Sequence, residues 1–431
     1  MDKSLNAFRL SRAVFLICTA CFVASPSVAF TSGGAWQAHM VLKARALPVV
    51  TVQPAASGVD QTDALQAAFN ALQPGQRLVL APGRYLVSRS LTVAKADTVI
   101  SGYGASLVAT NPGDQTIVMS GNGSTLVGVT LIGTGTTRLV TRESTKVEVT
   151  GTDVQVLGVT IQGGASAGIM VYGGSRVAIV GNTVQATLAD GIHTTYGSTD
   201  VLVQGNTVKG TGDDLIAVVS YQVDGRLSSN VLIDGNSVSG NYWGRGISVV
   251  GGQAVTISNN TVAGVQKAAG ILVSQEDGWN SYSASNVLIE NNVVSAIQDG
   301  TNADNGLQPT QQGAINLDTG SGTVSYVIVK DNHVSGSGYA GFRSAGNVCH
   351  FAVTGNAFAS IAGAPLSLLS KGCPAAGIVV SGNTMSGVAL PPPVGTSTSG
   401  TISAPGAVTT LLPTVRSHLM QAPAALASKR D

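Results

Sequence analysis

Charge is what this chain has least of. Only 10% of its 431 residues are Asp, Glu, Lys or Arg, and 23 basic side chains against 22 acidic ones leave a formal net charge of +1. That balance builds no field to draw in DNA, RNA or an acidic membrane surface, so a nucleic-acid partner is excluded. Cysteine is scarce too, with four residues. Neither the cysteines nor the histidines stand at zinc-ligand spacing, so no metal site is expected. Past residue 29 no apolar run is long enough to span a bilayer. Glycine is abundant instead, 54 residues of it among many Val, Ile, Asn, Thr and Ser, a composition suited to short strands and tight turns.

Residues 1–29 read as a secretory signal peptide. Lys3, Arg9 and Arg12 form a basic start, Ala13–Ala24 is a short apolar run, and Ser27-Val28-Ala29 is a small-residue cleavage site. A retained anchor helix is the alternative. The expected location is secreted or periplasmic, with no membrane contact after cleavage. Cys18 and Cys21 would leave with that segment. Cys349 and Cys373 remain, one repeat apart, and an oxidising compartment would join them as a disulfide; two free buried thiols are the bland alternative. Residues 30–56 show no period and read as a leader. Asp60-Gln61-Thr62-Asp63 followed by Leu65, Ala68, Phe69 and Leu72 predicts a capped amphipathic helix, with Asp60 or Thr62 as its N-cap.

From there the sequence repeats. The octet Val177–Val184 returns as Val201–Val208, Val231–Val238, Val255–Val262, Val287–Val294, Val327–Val334, Phe351–Phe358 and Ile378–Met385, at a shortest interval of about 24 residues. Asn182, Asn206, Asn236, Asn260, Asn292, Asn332, Asn356 and Asn383 mark the same place in each copy. A second strand interleaves: Gly191-Ile192-His193-Thr194, Leu215-Ile216-Ala217-Val218, Gly246-Ile247-Ser248-Val249 and their relatives. Strands at this spacing with no helix between them predict an all-β, single-stranded, right-handed parallel β-helix over residues 57–388, with the helix as its N-terminal cap. The asparagines should sit at bends, where Asn tolerates the left-handed conformation and stacked copies can bond along the axis. Residues 389–431, rich in Pro, Ser, Thr, Gly and Ala, read as a flexible low-complexity tail.

Against so uncharged a background, one column stands out. Asp190, Asp214 and Arg245 each precede an inward isoleucine (Ile192, Ile216 and Ile247) by two residues, and Asp213 flanks them. On consecutive coils they would stack at steps of roughly 4.8 Å. Other coils place Ala167, Ala269, Gly313 and Ala340 there. Turn formation alone is the bland alternative for the acids, but crowded carboxylates raise one another's pKa, which lets one act as acid while another acts as base. Glycoside hydrolysis needs that division. A carboxylate in the apolar core would cost too much, so a bend at Gly212, or just before Gly191, must turn the acids outward. His193 would share their face, as either a sugar or Asp partner or plain surface polarity. Longer repeats at 221–229, 275–285 and 298–312 hold Tyr221, Glu276, Asp277, Trp279, Tyr282 and Asp304, and with Tyr242 and Trp243 would wall a cleft where aromatic faces suit sugar rings. Asn316, Asp318 and Arg343 are further candidate subsite residues.

These motifs resemble the core of the polygalacturonase-like glycoside hydrolases, which carry an Asp-Gly-hydrophobic step, an Asp-Asp-Cys-hydrophobic-Ala step and a Gly-His-Gly step. Asp60–Val93 also looks like the entry of the wider pectate-lyase-like superfamily. The resemblance implies a secreted monomer acting on a carbohydrate polymer or oligosaccharide without a cofactor. Asp214 or Asp213 would be the general acid, and the other two acids would hold the attacking water. The departures are Leu188-Ala189, Leu215 in place of the Cys, Arg245 in place of the His, and no Arg-Ile-Lys near residues 269–272, where the family grips uronates. A neutral sugar therefore stays open, and so does the stereochemical outcome. A lyase that holds Ca²⁺ in the acid cluster, with Arg245 or His193 as base, is the second reading, and a non-catalytic glycan-binding surface protein the third.

Overall fold

The computed structural model describes residues 49–298 and 310–422, all within the compact unit Leu47–Asp431. The expected signal peptide 1–29, most of the leader, Asp304 and the last residues of the tail lie outside them. Among the described residues no helix is long and apolar enough to cross a membrane.

The repeat folds as the sequence spacing requires. Each full coil contributes one strand to each of three sheets of 13, 11 and 13 strands, and strands equivalent in the repeat are parallel neighbours. In one coil these are Ser175–Val180, Thr183–Gln185 and Ile192–Thr195. Alternation sends Val177, Ile179, Val184 and Ile192 inward, and all four are fully buried. Their copies above and below complete a continuous apolar column down the axis. Each such Val or Ile removed from water is worth about 1.5–3 kcal/mol, which no single coil could collect alone.

The asparagines form the expected ladder. From Asn182 to Asn356 each donates its backbone N–H and its Nδ2 to the Oδ1 of the next, at 2.8–3.0 Å. The left-handed residue at the bend is not the ladder asparagine but its predecessor: Gly181, Gly205, Gly235, Asn259, Asn291, Asp331, Gly355 or Gly382. The ladder residue plugs the corner that its neighbour turns.

The helix spans Thr62–Ala71 and buries Leu65 and Phe69 against the first coils. Gln61 takes the cap position, while the Asp60 carboxylate accepts the Thr62 N–H at 2.8 Å. Gln66 accepts the Thr92 N–H and donates to the Thr92 carbonyl, so it pairs the exposed edge of the first strand in that sheet, Leu91–Val93, as another strand would. Cys349 and Cys373 form the expected disulfide, with Cα atoms 5.3 Å apart.

The expectations for the leader and the tail fail as well. The leader does not run featureless to residue 56: Val49–Val52 pairs with Arg77–Leu80 and starts the first sheet. The segment 389–422 is no loose tail either. After Val388–Ala389 pairs with Thr384–Met385, the chain turns back and lies along the first sheet toward the N-terminal coils. Ser397 bonds Ile378 and Val380, Gly406 bonds Asn286, Val408 exchanges bonds with Asn230, Arg416 bonds Gln155, and the Leu419 carbonyl accepts from Tyr103. Leu419 and Met420 pack on Val127 and Leu157. Composition misleads here because strap order comes from side chains spread over many coils, not from local propensity. Ending the chain after Gly395 is expected to lower the melting temperature by several degrees and to open the first sheet to limited proteolysis, because those polar groups and Leu157 lose their cover.

Candidate active site

Register brings the acids together as the column predicts. Ile192, Ile216 and Ile247 are direct partners on adjacent strands, so Asp190, Asp214 and Arg245, two residues earlier, stack on consecutive coils. Oxygens of Asp190, Asp213 and Asp214 come within 4.8 Å of one another. The turns that carry them are tight through close approach rather than left-handed backbone. A Cβ on Gly212 would lie 2.4 Å from the Leu188 carbonyl oxygen, and one on Gly191 would lie 2.5 Å from that of Leu215.

Each acid has its own partner. Asp190 contacts His193 Nδ1 through Oδ2. Asp213 Oδ2 accepts from Arg138 Nη1 at 2.7 Å. Asp214 Oδ1 accepts the Arg245 N–H at 2.6 Å, and its Oδ2 accepts from the Ser248 hydroxyl. The Arg245 guanidinium stands 3.9 Å from Asp214 and pairs directly with Glu276. Asn241, fully buried, donates to the carbonyls of Asp213 and Arg245 and pins both turns.

These surroundings separate the protonation states. Burial raises the Asp214 carboxyl from its ordinary 3.8 to about 7; Arg245 opposes the rise, and the charges of Asp213 and Asp190 add to it. Burial and Asp190 also raise Asp213, but Arg138 pulls it back. Burial lowers His193, yet the Asp190 charge and hydrogen bond outweigh it and leave the imidazole above its usual value. Burial and Asp318 raise Glu276 against Arg245. Asp214 thus holds its proton up to about pH 7 beside an Asp213 carboxylate paired with the Arg138 cation, an arrangement that acid–base catalysis uses.

The cluster floors a cavity of about 320 Å³ whose lining includes His193, Tyr221, Trp243, Arg245, Glu276 and Trp279. Two of the expected inserts make one wall: Tyr221 bridges Ser281, and the Gln222 N–H bonds the Asn280 carbonyl. Trp243 and Trp279 keep much of their surface in water at the rim, and the Lys267 ammonium sits 3.6 Å from the Trp243 ring centroid. Asn316, Asp318 and Arg343 do not line this cavity. Asn316 is fully buried and spends its amide on the Gly313 N–H and on Asp318, so it is a structural residue rather than a subsite.

Sequence reading missed Arg138, Ser248 and Asn241. Ser248 was within reach, since it pairs in register with Ala217 and so shares a column with His193. Arg138 gives no such signal, because it stands in the non-repeating segment before Val147. As for a cation, His193 and Arg138 engage one oxygen each of Asp190 and Asp213, while Arg245 and Ser248 engage both oxygens of Asp214. Asp190 and Asp213 each keep one oxygen outside these bonds, and one oxygen from each of the three acids could meet at a metal ion, with water completing the shell of an ion such as calcium.

Residues 145–358 match the family model described as a right handed beta helix region. The hand is the one the crossover rule gives. No curated protein matches the chain by sequence. Among solved structures, the catalytic domain of a GH87 α-1,3-glucanase in complex with tetrasaccharides is 17% identical, covering 78% of this chain and 69% of that one with a TM-score of 0.60. The same domain in complex with nigerose gives 17%, 78%, 69% and 0.58. The A-module of the mannuronan C-5 epimerase AlgE6 from Azotobacter vinelandii is 16% identical, covering 78% of this chain and 96% of that one with a TM-score of 0.53. The glucanase complexes include variants with one of three aspartates changed to alanine.

Proposed function

We infer that this right-handed parallel β-helix protein is an exported glycoside hydrolase, with Asp190, Asp213 and Asp214 as its catalytic residues. The observation that carries the reading is the cluster itself: three acids on two adjacent coils, within 4.8 Å, at the floor of an aromatic-rimmed cavity. Support comes from the aspartates replaced in the glucanase variants. Their three replaced aspartates comprise two consecutive residues and a third that lies as far upstream as Asp190 lies from Asp213.

The chemistry follows from the partners. Asp213, held by Arg138, takes a proton from a water steadied by Asp190, and the water oxygen bonds to the anomeric carbon. Asp214 gives its proton to the departing glycosidic oxygen. His193, on Asp190, and Arg245, between Asp214 and Glu276, keep the acids in place. Trp243 and Trp279 offer apolar faces to sugar rings, and Tyr221 closes the wall.

A neutral glycan suits this cavity better than a uronate. The two lining arginines are already ion-paired with Asp213 and Glu276, so neither is free for a substrate carboxylate. The same pairing counts against a lyase, which must neutralise that carboxylate first. The test is a panel of neutral and uronic polysaccharides digested by wild type and by Asp214→Asn, with products weighed by mass spectrometry. Reducing fragments from a neutral glycan, made by wild type alone, are expected. Fragments lighter by one water, or equal activity in both proteins, would sink the reading.

A further inference from the structure

We propose that Arg138 is a positioning residue: delivered from outside the repeat, it keeps Asp213 as the ionised member of the adjacent pair and leaves Asp214 to carry the proton. Its catalytic meaning rests on the hydrolase reading, whereas its electrostatic content does not.

The position of Arg138 is built rather than incidental. Gln115, itself buried, donates through Nε2 to the carbonyls of Thr134 and Ser144 and accepts the Thr134 N–H, so one side chain ties both ends of the segment between them. Within it, the Leu139 N–H bonds the Ala165 carbonyl at 2.8 Å. This fixes the neighbour of Arg138 against the coil that precedes the acids. Arg138 then reaches across to Asp213 at 2.7 Å.

The other charges cannot do this work. Asp190 and Asp214 face Asp213 and disfavour its ionisation, and Glu276 and Tyr221 lie on the same wall. His193 is engaged by Asp190, and Tyr242 lies within the field of Arg138 itself. Arg245 contributes to Asp213 at a distance, but its hydrogen bonds and closest ion pair go to Asp214 and Glu276. Among the described residues, Arg138 makes the one ion pair that Asp213 has.

The test titrates protein labelled with ¹³C at the aspartate carboxyls, as wild type, Arg138→Gln and Arg138→Lys, alongside pH profiles of kcat/KM on a cleaved glycan. Removing an adjacent guanidinium lifts a carboxylate by about 1–3 pH units. The lower end is expected here, because the Arg138 side chain is 43% exposed and water screens it. In Arg138→Gln the Asp213 midpoint and the low-pH limb of the profile should both rise by about one unit, costing about tenfold in rate below the limb. Arg138→Lys should restore part of both. An unmoved Asp213 midpoint in Arg138→Gln overturns the proposal, and a rise in KM with the midpoint fixed does so by making Arg138 a substrate contact. A shifted midpoint in a protein that cleaves no glycan supports the electrostatic assignment and defeats the hydrolase reading instead.

Discussion

Asp214→Asn is expected to lower kcat by about 10²–10⁴, the range general acid catalysis contributes, and at the same time to make the protein more resistant to heat above neutral pH. The two effects share one cause. Asp214 is buried, and its carboxyl titrates at about 7 rather than 3.8, because water is excluded and Asp213 and Asp190 lie beside it. The folded-state pKa exceeds the unfolded one, so the sign is fixed. The contribution of Asp214 to stability is whole below about pH 4 and is lost as pH rises through about 7. The upper bound of that loss is about 4 kcal/mol, reduced in practice by whatever Arg245 and Ser248 recover. An amide keeps the shape and the Ser248 neighbour and has no proton to lose. Thermal denaturation of both proteins at pH 4 and pH 8 checks this: similar midpoints at the lower pH and a higher midpoint for Asp214→Asn at the upper one. A variant whose difference from wild type is the same at both values would mean that folding does not raise the Asp214 carboxyl.

Asn260→Ala should be among the costliest single substitutions in the coil stack. Asn260 Oδ1 accepts the backbone N–H and the Nδ2 of Asn236, at 2.8 and 2.9 Å, and its own Nδ2 donates to the Ile233 carbonyl and to Asn292 Oδ1. All of these atoms are buried, so truncation leaves several polar groups with neither water nor partner. At about 1–3 kcal/mol for each unsatisfied group, partly relieved by relaxation, the loss is about 3–5 kcal/mol. Denaturant melts should show it as a lower midpoint at unchanged slope. The pair Asn236→Ala with Asn260→Ala should cost less than the two singles added, since the first break already orphans part of what the second removes. Additive losses would mean that the bends are held by the neighbouring backbone rather than by the ladder.

Much of the site was legible because the repeat is a ruler. Asp190, Asp214 and Arg245 stand at one offset from isoleucines whose spacing fixes their pairing, so their meeting on adjacent coils needed only the coil length. The cleft walls were legible for a related reason. A solenoid admits extra residues only as loops, and the lengthened repeats hold Tyr221, Glu276 and Trp279. The same ruler misread Asn316. Register places it in the outward column with Arg343, but it cannot tell a side chain facing solvent from one folded back under its own strand.

The sequence by itself determined the coil, its asparagine corners, the register of the acids and the placing of Cys349 and Cys373 one repeat apart, because each follows from period and spacing along the chain. Only the tertiary structure decided that residues 396–420 strap the first sheet, that Arg138 pairs with Asp213, and that Asp214 is buried deeply enough for its carboxyl to be raised. These depend on contacts between segments far apart in sequence and on how much water those contacts exclude, and neither quantity is periodic.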